Sequence, residues 1–111
     1  MEQIQLPMSA LEIMQACFGH YKRESEKQET SASAGYYLIL IEKVINGGTV
    51  ELTSKDFLEI HGFVIGIFAR KLVNGKVANS RWTNKQWDNV LKQIEKCYGK
   101  DETYEIKRSD I

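Results

Sequence analysis

The sequence is poor in cysteine, carries no excess of either charge and contains no long apolar run. Two cysteines, Cys17 and Cys97, in a chain of 111 residues do not make a disulfide framework, so both are expected to be reduced, buried thiols. Fifteen basic and fifteen acidic side chains give a net charge of +0. This balance excludes a global field that would draw nucleic acid or a membrane to the whole molecule.

The apolar segments are too short to cross a bilayer. The longest strongly apolar stretches read YYLILI and FVIGIFA, well below the ~20 residues that a membrane-spanning helix needs. The first residues, MEQIQLPMSALEIM, have an acid at position 2 and no basic region before an apolar run, which is not typical of a signal peptide. We therefore expect one cytoplasmic domain over residues 1–111, since this length is typical of a single domain.

The stretch RWTNKQW, residues 81–87, carries the signature of a helix N-terminus. That signature is a Ser or Thr cap, a Glu or Gln three residues later, and two apolar residues that pack together across the cap. Thr83 is the predicted cap, Gln86 its partner, and Trp82 and Trp87 the apolar pair. The alternative is that the two rings are exposed and stack on nucleotide bases. The capping interpretation is favoured as the simpler one, since a stacking role would need a ring that is left largely exposed.

The same signature occurs at two other places. Ser9 is followed by Glu12 in MSALEI, and Thr53 by Asp56 in LTSKDF, where Asp is a weaker substitute for Glu. Each such cap stabilises a helix by ~1 kcal/mol. Helices are therefore expected to begin after positions 9, 53 and 83.

Apolar residues recur at helical spacing along most of the chain and predict an all-α fold, a compact bundle of about four helices. The predicted helices cover approximately residues 9–28, 31–46, 54–73 and 83–98. The third is apolar nearly all round, which is typical of a helix that is central or lies at an interface. Short alternating segments such as IQL, TVEL and TYEIK could add a minor strand pair from the termini. Residues 100–111 are polar and could form a flexible tail.

Reactive side chains do not form a known catalytic or metal-binding motif. Cys17 and His20 are three residues apart, but His61 and Cys97 stand alone, whereas a structural zinc site normally shows two close pairs. On a helix, Glu59 and His61 lie about 200° apart and cannot bond directly. We therefore expect no enzymatic activity, no metal and no cofactor.

Two glycines in the third predicted helix require an explanation, since glycine inside a helix costs ~1 kcal/mol relative to alanine. Close approach of another helix would offset this cost. That helix can be the first or second of the same chain, which is the favoured alternative, or the third helix of a second subunit in an isologous homodimer. The predicted protein interface comprises Gly62, Gly66 and Ala69.

Charge is distributed unevenly along the chain. No Asp or Glu occurs from residue 60 to residue 87, and a helix N-terminus within this stretch suits anions. Amide side chains at the start of the fourth helix could read base edges. The candidate anion or nucleic-acid contacts are Arg70, Lys71, Lys76, Arg81, Asn84, Lys85 and Asn89. Against this interpretation, the predicted connection is longer than the turn of a helix-turn-helix, and the chain is not basic overall.

The absence of catalytic motifs and the large apolar surface of the third helix favour a non-enzymatic, cytosolic protein-interaction module. A regulator, an inhibitor or an immunity-type binder fits this description. We expect it to bind a protein partner and to form homo-oligomers. The alternative is a DNA- or nucleotide-binding regulator that uses residues 70–89.

Overall fold

The structure, a computed structural model, describes residues 1–74 and 81–109. Four helices and three strands follow one another along this part of the chain. In chain order they are β1 (Glu2–Leu6), α1 (Met8–Glu24), α2 (Gln28–Ile45), β2 (Val50–Thr53), α3 (Ser54–Asn74), α4 (Asn84–Glu95) and β3 (Thr103–Arg108).

The prediction of four helices is confirmed, and helix makes up most of the described chain. The expectation of an all-α fold is corrected, because a three-stranded sheet accompanies the helices where the sequence predicts at most a strand pair. Helix boundaries also differ from the prediction. The break between α1 and α2 falls at residues 25–27, so α1 ends at Glu24, and α4 ends at Glu95 instead of near residue 98.

The central strand of the sheet is the last one in the chain. The strand order is β1-β3-β2. Ile4 of β1 pairs with Ile106 in parallel, and Leu52 of β2 pairs with Tyr104 in antiparallel orientation. Side chains alternate between the two faces of a strand, and Tyr104 and Ile106 are the buried pair on the inner face. The polar segment 100–111, which could form a flexible tail on sequence grounds, thus contains the central strand.

Two of the three predicted capping boxes are confirmed. Thr83 Oγ1 accepts a hydrogen bond from the Gln86 backbone N–H at 3.2 Å, and the Gln86 side chain accepts one from the Thr83 N–H at 2.9 Å. At the start of α3, Thr53 Oγ1 accepts from the Asp56 N–H at 3.1 Å, and the Asp56 carboxylate accepts from the Thr53 N–H at 2.8 Å. The shorter aspartate side chain is therefore long enough to close the box.

The predicted cap at Ser9 is wrong. The first helix begins one residue earlier, at Met8, and its N-cap is Pro7, which makes no side-chain capping bond. The backbone carbonyl of Pro7 accepts from the N–H groups of Ala10 and Leu11. Because the φ angle of proline is fixed and Pro7 follows β1 directly, the helix starts immediately after it, at Met8. The predicted partner of the cap, Glu12, instead forms an ion pair with Arg81.

The two tryptophans hold the start of α4 in place. Trp82 is 7% exposed and Trp87 is 0% exposed. Their ring centroids lie 6.2 Å apart in an edge-to-face arrangement, and Phe68 stacks on Trp87 from α3. The capping interpretation is therefore confirmed, and buried rings of this kind cannot form an exposed stacking platform.

Both cysteines are buried, as predicted, and neither forms a disulfide. Desolvation raises the pKa of the Cys17 thiol and that of the Cys97 thiol. A raised pKa keeps a thiol protonated and poorly nucleophilic. The two side chains therefore contribute to packing in the core between the helices and the sheet.

Candidate functional site

One side of α3 is apolar and exposed, although the opposite side is in the core. Residues at positions i, i+4, i+7 and i+11 lie on one face of a helix. The outer face of α3, as we use the term, comprises Leu58, Gly62, Ile65 and Ala69, all of which are exposed. Its two large side chains, Leu58 and Ile65, are 55% and 37% exposed. The inner side of the same helix is buried: Phe57, Ile60, Phe63, Val64 and Ile67.

The two glycines of α3 have different surroundings. A Cβ atom built on Gly66 would collide with the hydroxyl oxygen of Tyr21 on α1, so the absence of a side chain there leaves room for the end of the Tyr21 side chain. Among the described residues, a Cβ atom on Gly62 would meet nothing within 4 Å. Of the three predicted interface residues, Gly66 therefore contacts a helix of its own chain, and Gly62 and Ala69 face outward.

Leu58 and Ile65 were not among the predicted interface residues. Both belong to a helix whose apolar residues extend almost all round its axis, so the sequence alone does not tell which of them face outward. Their spacing of four, three and four with Gly62 and Ala69 is the signal that could have grouped them.

Charged side chains border the outer face of α3 on its α1 side. Glu59 and Arg70 are both exposed and lie about 100–120° round the helix from Leu58. Arg70 Nη1 lies 3.1 Å from His20 Nε2, and its guanidinium lies over the Tyr21 ring, 5.6 Å from the centroid. Desolvation, and then the charge of Arg70, lower the pKa of His20. A neutral His20 accepts a hydrogen bond from Arg70 in this arrangement.

The other border of the outer face, at His61, contacts the C-terminal end of α4 and the residues that follow it. The His61 ring packs on the Tyr98 ring at a centroid distance of 5.1 Å. Glu95 Oε1 lies 3.6 Å from His61 Nε2, which is too long for a hydrogen bond. Among the described residues, His61 Nε2 has no hydrogen-bond partner. This border is therefore held by ring packing more than by polar contacts.

A cleft of ≈ 430 Å³ opens beside Gly62, where the ends of α1, α2 and α3 meet. Glu29 and Glu59 contribute carboxylates to it, and Tyr21 and Phe63 form an apolar wall. The cleft is open toward solvent and continues the outer face of α3 on the side of α2.

The predicted anion-binding residues are distributed over separate parts of the surface. Arg70 contacts His20 of α1, whereas Arg81 forms an ion pair with Glu12 of the same helix. His20 and Glu12 are about 12 Å apart along the axis of α1. The Arg81 guanidinium also lies over the Trp82 ring, at 4.8 Å from the centroid. The Lys71 side chain and the whole of Lys76 lie outside the described residues. Arg81 is thus neutralised by an acid that the sequence did not associate with it.

Lysines and an amide form a second exposed row, on α4. Lys85 and Asn89, both predicted contacts, are exposed. Two further exposed lysines continue the row at the same spacing of four, three and four positions. The outer face of α4, as we use the term, comprises Lys85, Asn89, Lys92 and the C-cap residue Lys96. Asn84 is exposed next to this row, and Lys92 Nζ forms an ion pair with Asp88 at 2.9 Å.

Within residues 1–74 and 81–109, no three His, Cys, Asp or Glu side chains lie close enough together to hold a metal ion. Cys17 is in the core, and His20 contacts Arg70 on the surface. Among the same residues, no helix has the length and hydropathy needed to span a membrane.

Comparison of the chain with protein-family models, with curated proteins and with solved structures gave no match. The functional conclusions below therefore depend on the geometry of the two outer faces.

Proposed function

We propose that this protein is a small, non-enzymatic interaction module that binds protein through the outer face of α3 and self-associates through that face. The observation that carries the proposal is the exposure of Leu58, Gly62, Ile65 and Ala69 in one row, ~16 Å long. Single exposed apolar side chains are ordinary on a protein surface. Contiguous exposed apolar surface, in contrast, is a feature of protein interaction sites.

The shape of the row favours a protein partner over a small molecule. Small ligands bind in concave sites that enclose most of their surface, whereas the outer face of α3 is the convex side of a helix. Gly62 and Ala69 leave room for the backbone of an approaching helix. Full burial of a fully exposed leucine or isoleucine contributes about 1.5–3 kcal/mol. Leu58 and Ile65 are 55% and 37% exposed, so burial in a complex contributes a fraction of that value for each.

Sedimentation equilibrium of matched variants tests the proposal. Wild type is expected to show a mass above that of the 12.8 kDa monomer, and Ile65→Asp to shift the equilibrium toward monomer by at least about tenfold, or ~1.4 kcal/mol. Ile39→Asp is the control, because Ile39 is 69% exposed on α2 and the change has the same chemistry. Wild type that remains monomeric at high concentration, or equal effects of both variants, would contradict the proposal.

A second candidate function, binding of DNA or a nucleotide, is supported by the outer face of α4. Lys85, Lys92 and Lys96 are exposed in one row with Asn89, and lysines on one helix face attract phosphates. The row differs from the predicted cluster, since it continues along α4 and does not include Arg81. In the free protein Arg81 is paired with Glu12, and Lys92 of the row is itself paired with Asp88.

Salt dependence tests this second candidate. Binding of a labelled duplex through three lysines should weaken as salt rises, with a slope of log K against log salt of about −3. The double variant Lys85→Glu with Lys96→Glu should lose binding. The control is Lys43→Glu with Lys55→Glu, which makes the same charge change on exposed residues of α2 and α3. Equal binding by the two double variants would exclude the outer face of α4 as the contact.

A further inference from the structure

Given the proposed function, on which this inference rests, we propose that the partner of the outer face of α3 is the same face of a second copy, in antiparallel orientation. The midpoint of Leu58, Gly62, Ile65 and Ala69 falls between residues 63 and 64. A twofold axis at that height, perpendicular to the helix, brings Leu58 opposite Ala69 of the second copy and Gly62 opposite its Ile65.

This register makes the face complementary to itself, because each large side chain meets a small residue. Ile65 projects toward Gly62 of the second copy, where a Cβ atom would meet none of the described residues within 4 Å. Leu58 meets the small side chain of Ala69. A parallel arrangement would instead place Leu58 against Leu58 and Gly62 against Gly62. The two Leu58 side chains would then collide, and the two Gly62 residues would leave a gap between the helices. An unfilled gap loses packing contacts.

Charge supports the same arrangement. Glu59 and Arg70 lie on the same border of the outer face, and a twofold axis perpendicular to the helix keeps this border on one side in both copies. Glu59 of one copy then lies opposite residue 68 of the second copy. It is offset by about 3 Å along the helix axis from Arg70 of that second copy. That offset is within reach of an arginine side chain, so two symmetrical ion pairs can form. In a parallel pair this border faces the opposite one, which carries His61.

The existing contact of Arg70 is compatible with such a pair. Its Nη1 lies against His20, and a guanidinium has five N–H donors in a fork that suits a carboxylate. The contacts with His20 and the Tyr21 ring hold the guanidinium at the border before a second copy arrives. Less rotamer freedom is then lost on association.

Cysteine cross-linking distinguishes the two orientations. In the antiparallel dimer, position 58 is next to position 69 of the second copy, whereas the two copies of position 58 are ~16 Å apart. A disulfide needs Cα atoms closer than about 7 Å. A mixture of Leu58→Cys and Ala69→Cys, one of them carrying a size tag, should form mixed cross-linked dimers under mild oxidation, and Leu58→Cys alone should not. Wild type is the blank, because Cys17 and Cys97 are each 1% exposed.

The outcomes separate this inference from the proposed function. Cross-linking of Leu58→Cys alone, or a dimer by mass in which the mixture does not cross-link, would overturn the antiparallel register and leave self-association standing. A monomer by mass would overturn both. Mixed cross-linked dimers from Leu58→Cys and Ala69→Cys support the register.

A charge exchange gives an independent measurement that requires no oxidation. Glu59→Arg alone and Arg70→Glu alone each place like charges at both ends of the contact, so each should dimerise at least about tenfold more weakly than wild type. A mixture of the two variants restores opposite charges in the mixed dimer, which should form in preference to either homodimer. Absence of that preference in a mixture whose components are folded would overturn the proposed ion pairs.

Discussion

Two helices of this protein each turn a row of four residues outward at the same spacing, and the two rows differ completely in chemistry. On α3 the row is Leu58, Gly62, Ile65 and Ala69, and on α4 it is Lys85, Asn89, Lys92 and Lys96. The α4 row needs no partner, because lysine side chains remain hydrated at a surface. The α3 row leaves apolar surface in water, which association can bury. The two rows have the same helical geometry, but the α4 row is stable in water without a partner, whereas the α3 row is a candidate contact surface.

The largest expected effect separates the inner and outer sides of α3. Ile67→Ala removes a side chain that is 4% exposed and should lower the free energy of unfolding by about 2–5 kcal/mol, through lost burial and a cavity. Ile65→Ala should lower it by less than about 1 kcal/mol in the monomer. Urea denaturation at low protein concentration measures both values. Equal losses would mean that Ile65 does not face outward.

The two glycines of α3 should respond in opposite directions. Gly66→Ala forces a methyl group against the Tyr21 hydroxyl, and such overpacking costs about 1–3 kcal/mol, against a gain of up to ~1 kcal/mol from helix propensity. Gly62→Ala should bring the propensity gain alone in the monomer. It should weaken the dimer, because it partly fills the space for Ile65 of the second copy.

A double variant checks the cause assigned to the Gly66 effect. The next nearest atom of Tyr21 lies 3.5 Å from the added Cβ, which is an ordinary contact. Tyr21→Phe combined with Gly66→Ala should therefore be more stable than Gly66→Ala alone, as measured by thermal unfolding. If removal of the hydroxyl brings no recovery, the end of the Tyr21 side chain is not the reason for this glycine.

A smaller effect distinguishes the confirmed cap from the one that is absent. Thr83→Ala should lower the stability by ~1 kcal/mol, because the N–H of Gln86 loses its acceptor. Ser9→Ala should change it by no more than about 0.5 kcal/mol, because Ser9 lies inside α1 and makes no capping bond. Chemical denaturation of the two variants tests this, and equal losses would restore Ser9 as a cap.

The smallest expected effect is a pH dependence at His20. Its pKa is lowered in the folded protein, first by desolvation and then by Arg70, so the unfolded chain binds a proton at a higher pH than the folded one does. Stability should therefore fall as the pH drops below about 6.5, the unfolded value. His20→Gln keeps a polar acceptor and should reduce the fall in melting temperature between pH 7.5 and pH 5.5. An identical fall in the variant would assign it to other groups.

The helices could be predicted because their signals are local. In α3 and α4, the apolar residues that give the helical spacing are three or four positions apart. Within each capping box, at Thr53 and at Thr83, the two bonded residues are three positions apart. The start of α1 was missed because Pro7, which follows β1 directly, is the N-cap, two residues before the predicted cap Ser9. Local signals thus locate a helix better than they locate its first residue.

The sheet could be predicted only in part. The alternation in IQL, TVEL and TYEIK marked the strands and the pairing of the termini, but not the third strand of the sheet or the central position of β3. In β3 only Tyr104 and Ile106 are buried, and the rest of TYEIKR is polar. Its parallel partner β1 lies at the other end of the chain, so the pairing depends on contacts far apart in sequence. An alternating segment of six residues does not by itself distinguish a central strand from an exposed one.

The candidate site was predicted in part. Gly62 and Ala69 were selected for their small size, and both face outward. Leu58 and Ile65 were not selected. Their spacing groups them with Gly62 and Ala69 on one face, but in a helix that is apolar nearly all round the spacing does not tell whether that face is the outer one. The choice between outer and inner side is made by the positions of α1 and α4, which only the structure supplies.

An NMR dilution series compares the two outer faces most directly. Backbone amide resonances would be recorded from the highest soluble concentration to the lowest detectable one. Our account predicts that the amides of Leu58, Gly62, Ile65 and Ala69 shift with concentration, and that those of Lys85, Asn89, Lys92 and Lys96 do not. Shifts confined to α4, or a spectrum independent of concentration in a protein of monomeric mass, would contradict the claim that the outer face of α3 is the binding surface.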